Sequence, residues 1–182
     1  MDLVAVCSIL RENDGSLPEV EIQFNGASVI AQAYALVQNR ALAAKSSMGQ
    51  YWSKQRQADC AITFGENPAE LFLADDAEPF HVVFGGIRAS DGTEVPMLGF
   101  FVIGADYVSL DFRMGPEWNA NTVIGLFEVV RDLSQLASCV SIRHTCNIFD
   151  PDGKIFMSSY EAWISANNSI QPTPSARLIS NR

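Results

Sequence analysis

The sequence contains few of the residues and motifs on which common active sites are built. It has only two histidines among 182 residues, so few general bases are available near neutral pH. A Gly-x-Ser-x-Gly nucleophile elbow, a Gly-x-Gly-x-x-Gly fingerprint and a P-loop motif are all missing. These absences argue against an α/β-hydrolase and against a nucleotide-binding enzyme. We expect no cofactor.

The sequence also has no apolar run long enough to cross a bilayer. The opening run, MDLVAVCSIL, stops at RENDG and is far shorter than a spanning helix. Asp2 occupies the place where a signal peptide carries Lys or Arg. The four cysteines form no Cys-x-x-Cys pair, and a chain of this length needs no disulfide to hold its core. We therefore expect a cytoplasmic protein with reduced thiols and no membrane contact.

The densest group of metal-ligating residue types is the segment CVSIRHTC. It places Cys139, His144 and Cys146 within eight residues, with the last two on one face of a predicted strand. Structural zinc is bound by four ligands, usually in close pairs, and the sequence offers no second pair. We expect core thiols and a buried histidine here, and no metal.

The segment DPDGKIFMSSYE has acids at the first, third and twelfth positions of an EF-hand loop. Lys154, however, stands where a fifth-position carboxylate would coordinate calcium, and Ile155 replaces the sixth-position glycine. Pro151 and Gly153 fit a β-turn instead, because proline presets φ and glycine accepts positive φ. We expect a hairpin turn.

Hydrophobic periodicity predicts a run of strands interrupted by two long helices. The strand EVEIQF alternates charged or polar and apolar residues, so one face of the sheet is expected to be solvated. Helix 28–45 is expected to begin at Ser28 or Asn25, which are capping residue types. Apolar residues at helical spacing predict the second helix, 118–137. The predicted strands are 3–10, 19–24, 60–64, 80–88, 95–103, 107–112, 139–149 and 154–157.

This order of elements predicts a single α+β domain over residues 1–166. Hairpins replace regular βαβ alternation, so the sheet is expected to be mainly antiparallel, with the two long amphipathic helices packed on one face. The Asn-, Ser- and Pro-rich segment 167–182 is expected to be a flexible tail.

The segment RMGPEW, between strand 107–112 and the second helix, combines features of an anion site and of a helix start. Arg113 and free N–H groups at a helix N-terminus together suit a phosphate or carboxylate. Glu117 would repel such an anion and already complements the helix dipole. Gly115 and Pro116 are typical of the turn into a helix. We interpret the segment as a helix start.

Charge is distributed very unevenly along the chain. Residues 57–112 contain ten acids and one base, Arg88, and so carry the whole net charge of −9. Such a field opposes nucleic acid binding and favours encounter with a basic protein. Within it, GENPAELFLADDAEPF has five carboxylates around the apolar residues Leu71, Phe72 and Leu73.

These patterns predict a non-catalytic binding module, of the inhibitor, immunity or chaperone kind, that docks a basic protein partner. An apolar centre inside a charged rim is the usual composition of a docking surface. The predicted contacts are Glu70, Leu71, Phe72, Asp75, Asp76 and Glu78.

The alternative is a small enzyme or ligand-binding protein with a cleft on the polar face of the sheet. A concave pocket that gathers two or more of the candidate residues would favour this alternative. A homodimer through a sheet edge stays open. The cleft candidates are His81, Ser109, Asp111, Arg113 and Glu117.

Overall fold

The computed structural model describes residues 1–145 and 151–168. They form an α+β fold with a mainly antiparallel sheet, which confirms the predicted fold class. The helices are α1 (Leu3–Arg11), α2 (Ile30–Arg40), α3 (Ala69–Leu73), α4 (Ala120–Ser134) and α5 (Pro151–Asn168), with a 3-10 turn at Ala43–Lys45. The strands are β1 (Glu19–Phe24), β2 (Gln50–Ser53), β3 (Ala58–Ala61), β4 (Phe80–Phe84), β5 (Ile87–Arg88), β6 (Glu94–Val95), β7 (Leu98–Gly104), β8 (Tyr107–Phe112) and β9 (Cys139–Thr145).

The central sheet has five strands in the order β4-β7-β8-β1-β9, and all of its pairs are antiparallel. Two small hairpins, β2–β3 and β5–β6, accompany it. Beyond β4, single bridges join Ser47 to Val83 and Ser53 to Ala77. The segment that contains β2 therefore runs along the outer edge of β4.

Alternate residues of the sheet form one buried face under the helices. In β1, Val20, Ile22 and Phe24 are buried, whereas the residues between them are only half-buried. The same alternation holds in β4. The predicted solvated face is therefore present, and it carries the polar residues discussed below.

The two helices with the clearest periodicity were predicted correctly in kind. In α2, Ile30, Ala33, Tyr34 and Val37 are buried as predicted. The helix ends at Arg40, however, and its N-cap is Val29 without a side-chain bond, so the predicted caps Ser28 and Asn25 were wrong. In α4, the buried residues include Val123, Leu126, Phe127, Val130 and Leu133.

The segment predicted as strand 3–10 is the helix α1. Asp2 caps it, because its carboxylate accepts the Ala5 N–H at 3.0 Å. Val6 and Leu10 are fully buried at helical spacing, whereas Val4, which a strand would bury with Val6, is 83% exposed. The apolar composition suited either structure, and packing against α4 and α5 favours the helix.

The strand predicted at 154–157, and the turn before it, are also wrong. Residues 151–168 form α5, and Pro151 is its first residue, a place where proline is favoured. Phe156, Tyr160 and Trp163 lie on one side of this helix and surround Phe127, with ring centroids 5.2, 5.4 and 5.9 Å away. Because residues 151–161 are helical, the EF-hand loop is excluded together with the hairpin turn. Asp150 lies outside the described residues.

Several predicted boundaries differ from the observed ones or lie partly outside the described residues. Predicted strand 80–88 divides into β4 and β5 at Gly85 and Gly86, where the chain approaches Lys45 and Leu42 closely. Predicted strand 60–64 is observed as Ala58–Ala61. Predicted strand 139–149 is observed as Cys139–Thr145, and the rest of it lies outside the described residues. Of the predicted tail, 167 and 168 belong to α5, and 169–182 lie outside the described residues.

Candidate functional site

The predicted acidic surface lies on α3 and on the loop that leads from it to β4. Asp75 follows the last turn of α3 with φ of 61°, a left-handed conformation usually taken by glycine. The Asp75 N–H donates to the Phe72 carbonyl and the Asp76 N–H to the Leu71 carbonyl, at 3.1 and 2.9 Å. This pair of bonds is a Schellman motif, which ends the helix and turns the acidic loop outward.

The six predicted contact residues divide into exposed and structural ones. Glu70, Leu71, Asp75 and Glu78 are exposed. Phe72 is half-buried and packs against the core.

Asp76 is also structural, because its carboxylate accepts the Ser53 hydroxyl at 3.0 Å and the Gln55 N–H at 2.7 Å. The Glu78 N–H donates to the Trp52 carbonyl, which places Trp52 beside this loop. The exposed side chains of Trp52 and Leu73 add apolar area there. The part of the surface free to meet a partner is therefore smaller than predicted, and includes Trp52 and Leu73.

The acidic segment 57–112 does not form one surface in space. It runs from β3 to β8. Lys54 pairs with Asp75 at 2.5 Å and Lys45 with Glu94 at 2.6 Å, so bases from the neutral first part of the chain fold onto it. Because these pairs are exposed, they reduce the local field without removing it.

A cleft of about 320 Å³ opens on the solvated side of the sheet, beside the ends of β4, β7 and β8. It contains four of the five residues predicted for a cleft, namely His81, Asp111, Arg113 and Glu117. The remainder of its lining is mostly apolar. These residues are Leu17, Val83, Pro96, Met97, Gly99 and Phe112.

His81 and Asp111 meet across the strand that separates them. His81 lies on β4 and Asp111 on β8, with β7 between. The His81 Nε2 atom is 3.1 Å from the Asp111 Oδ1 atom. They meet because β7 has a glycine at this point: a Cβ on Gly99 would lie 1.5 Å from Oδ1 and 2.3 Å from Nε2.

Arg113 and Glu117 form the rim of the cleft, on the turn that precedes α4. The turn is held by backbone-directed bonds: the Trp118 indole N–H donates to the Arg113 carbonyl at 2.7 Å. Arg11 donates to the Trp118 carbonyl at 2.6 Å, which ties the turn to α1. Asn119 caps α4 in a capping box with Thr122. The segment therefore forms the turn that leads into α4. The helix itself begins only at Ala120 and has no acid in its first turn, so the prediction that Pro116 lies just inside the helix was wrong.

Ser109, the fifth cleft candidate, lies on the same face but does not line the cleft. Its hydroxyl donates to the Glu19 carboxylate at 2.9 Å. Next to it, burial first and then the Glu21 carboxylate raise the pKa of the Tyr107 hydroxyl. The Glu19 carboxylate is thus engaged by a neutral donor.

The cysteine and histidine candidates show no metal-binding arrangement. His144 is buried and its ring stacks on Phe156 with centroids 4.2 Å apart. Cys7, Cys60 and Cys139 are free thiols. Within residues 1–145 and 151–168, no group of three or more His, Cys, Asp or Glu side chains is placed to hold a metal ion. Cys146 lies outside this range.

Comparison with known proteins gives a likeness of fold. No family model and no curated protein matches the chain. A solved structure does: a chain of the 1.75 Å crystal structure of the toxic C-terminal tip of CdiA from Pseudomonas aeruginosa in complex with immune protein. The TM-score is 0.50 at 15% identity, over 73% of this chain and 87% of that chain. At this identity the likeness supports the fold.

No helix in the described part of the chain is long and apolar enough to cross a membrane.

Sequence reasoning identified the polar residues of the cleft but missed the glycine that brings two of them together. Gly99 is flanked by Leu98 and Phe100 inside a strong strand pattern. An isolated glycine in a strand often marks a close approach of other atoms, so a signal was present. The apolar walls Leu17 and Met97 gave no such signal, because both lie in loops.

Proposed function

We propose that this protein is a binding module of the immunity-protein kind, which docks and blocks a basic protein partner in the cytoplasm. The likeness of fold supports this function, since the matching structure contains a toxin and an immune protein. The net charge of −9 suits the acidic member of such a complex, which binds a basic partner, better than it suits the basic member.

The observation that carries the proposal is the exposed surface around α3. Here Leu71 and Leu73 are 36% and 40% exposed, and Glu70, Asp75 and Glu78 are also exposed on the helix and the loop that follows it. Apolar side chains at the centre supply contact area, and the charged rim speeds encounter with a basic surface. The proposed contacts are Glu70, Leu71, Phe72, Asp75, Asp76 and Glu78, of which Phe72 and Asp76 act by holding the surface in shape.

Capture from the host lysate tests the proposal. The bait variant replaces Glu70, Asp75 and Glu78 with lysine and leaves the structural Asp76 unchanged. The control replaces three acids elsewhere, Glu12, Asp14 and Glu161, so that both variants change the net charge equally.

A basic protein retained by wild type and by the control, but lost with the α3 variant and in high salt, is the expected result. Expression of the captured protein alone should then arrest growth, and co-expression of this chain should restore it. Equal retention by the α3 variant would show that the surface is wrong. Growth without arrest would rule out the immunity role.

A second candidate function comes from the His81–Asp111 pair, which could perform general acid–base chemistry on a small ligand in the cleft. Among the described residues, the lining contains no Ser, Thr, Cys, Lys or Tyr side chain, so they would supply a covalent intermediate with no nucleophile except a carboxylate or the imidazole. A small-molecule thermal-shift screen, with Asp111→Asn as the comparison, tests it. Ligands that raise Tm equally for both proteins would count against this site.

A further inference from the structure

The carboxylate of Asp111 is largely buried, and only one of its two oxygens has a hydrogen-bond partner among the described residues. The residue is 9% exposed. Oδ1 lies 3.1 Å from the His81 Nε2 atom, whereas Oδ2 receives no hydrogen bond from any residue that the structure describes. Since Asp111 lines the cleft, a donor that enters the cleft can reach Oδ2.

The floor of the cleft carries the Asp111 carboxylate beside the His81 imidazole, and its walls are apolar. At the rim, Arg113 and Glu117 carry opposite charges. The walls include Leu17 and Met97, which are 53% and 55% exposed and extend the apolar surface outward.

The volume of the cleft is sufficient for one long side chain. A volume of about 320 Å³ lies at the low end of the roughly 300–1,000 Å³ usual for ligand pockets. Arginine combines an apolar stem with a weakly hydrated cation that carries five N–H donors. Its stem would contact the walls, and its head would reach Asp111 Oδ2.

We propose that this cleft receives a single arginine side chain of the basic partner. The inference rests on the proposed function, because it assigns the cleft to a residue of that partner. Glu78 precedes His81 by three residues, so the Cα atoms of these two residues are at most about 11 Å apart. In this proposal one partner contacts both the loop after α3 and the cleft, with the arginine as an anchor beside a charged rim.

Titration of the isotope-labelled protein with N-acetyl-argininamide, followed by backbone NMR, tests this assignment. N-acetyl-citrullinamide has nearly the same shape without the charge and is the matched control. The variant Asp111→Asn removes the charge of the floor at constant size. Glu19→Gln removes a carboxylate on the same sheet face outside the lining, and shows whether any loss of charge has the same effect.

We expect argininamide to shift the Gly99 amide and the His81 ring signals with a millimolar Kd, and Asp111→Asn to weaken binding about tenfold or more. Glu19→Gln should bind as wild type does. Equal binding of the citrulline compound, no shift at Gly99, or an unchanged Kd in Asp111→Asn would overturn the assignment. If the cleft assignment fails but a basic partner is captured through the α3 surface, the proposed function still holds. If argininamide binds but no partner is captured, the proposed function is refuted.

Discussion

His81 and Asp111 lie on strands that do not pair, yet their side chains meet at 3.1 Å above the backbone of Gly99. The contact joins β4 to β8 over the intervening strand. The absence of a side chain at position 99 is therefore part of the site, in the same way as the two polar groups are.

Replacement of Gly99 by alanine should separate this pair. The added Cβ would overlap Asp111 Oδ1, and we expect a loss of about 1–3 kcal/mol in the free energy of unfolding. Urea denaturation measures it, and the His81 ring signals in NMR should shift at the same time. Gly104→Ala is the control, because it adds the same methyl group to β7 with 3.3 Å to its nearest neighbour. Equal effects of the two changes would contradict the close approach at Gly99.

Asp132 should make stability depend on pH in the acid range. Its burial opposes ionisation, but hydrogen bonds from Arg131 and Arg40 outweigh burial and lower its pKa. The carboxylate therefore stabilises the fold above the unfolded-state pKa of about 3.9, and this contribution is lost as pH falls through the lower folded-state pKa.

The variant Asp132→Asn tests the pH effect. It should be less stable than wild type by about 1–3 kcal/mol at pH 7, and the difference should narrow below about pH 4. Chemical denaturation at several pH values measures this. Asp59→Asn, an exposed control on β3, should show little difference at any pH. A gap that stays constant down to pH 2 would refute the assignment of the linkage to Asp132.

The capping box of α4 should be worth a measurable part of the stability. The Asn119 side chain accepts the Asn121 and Thr122 N–H groups at 3.0 and 3.3 Å. Asn119→Ala removes this acceptor, and we expect a loss of about 1 kcal/mol by thermal or urea unfolding. Asn121→Ala, in the exposed first turn, should be neutral or slightly stabilising because alanine favours helix. A loss from both variants alike would argue against a specific cap.

Glu128 should hold the loop that leads to one wall of the cleft. Its carboxylate accepts the Ser90 N–H at 2.7 Å and the Ser90 hydroxyl at 2.6 Å. Glu128→Ala removes the carboxylate that accepts both bonds, so we expect a loss of about 1–3 kcal/mol. Hydrogen exchange should also become faster at the Ser90 amide. Glu161→Ala, on the exposed side of α5, should change neither quantity.

The sequence allowed most of the sheet to be predicted, but less of the helical layer. Alternation in β1 is strong, because one face of this strand is only half-buried. The segments that became α1 and α5 were misread for a physical reason. Apolar residues in α1 suit either structure, and Pro151 with Gly153 is compatible with a turn as well as with a helix start.

The polar residues of the cleft were predictable one by one, but their arrangement was not. Asp111, Arg113 and Glu117 are close in sequence, and a strand end followed by a turn brings them together. His81 joins them only because β7 lies between β4 and β8, and strand order is not encoded in local periodicity. The contact therefore depends on topology together with one glycine.

The bridges from Ser47 to Val83 and from Ser53 to Ala77 also bear on how copies of the chain meet one another. An unpaired strand at the edge of a sheet is a template for the edge of a second molecule. Here a segment of the same chain bridges β4 at Val83 and the approach to β4 at Ala77, and the next strand outward, β3, is short and carries the exposed acid Asp59. Edge-to-edge pairing of two copies of the chain beside β4 is therefore disfavoured, while the solvated face of the sheet stays accessible.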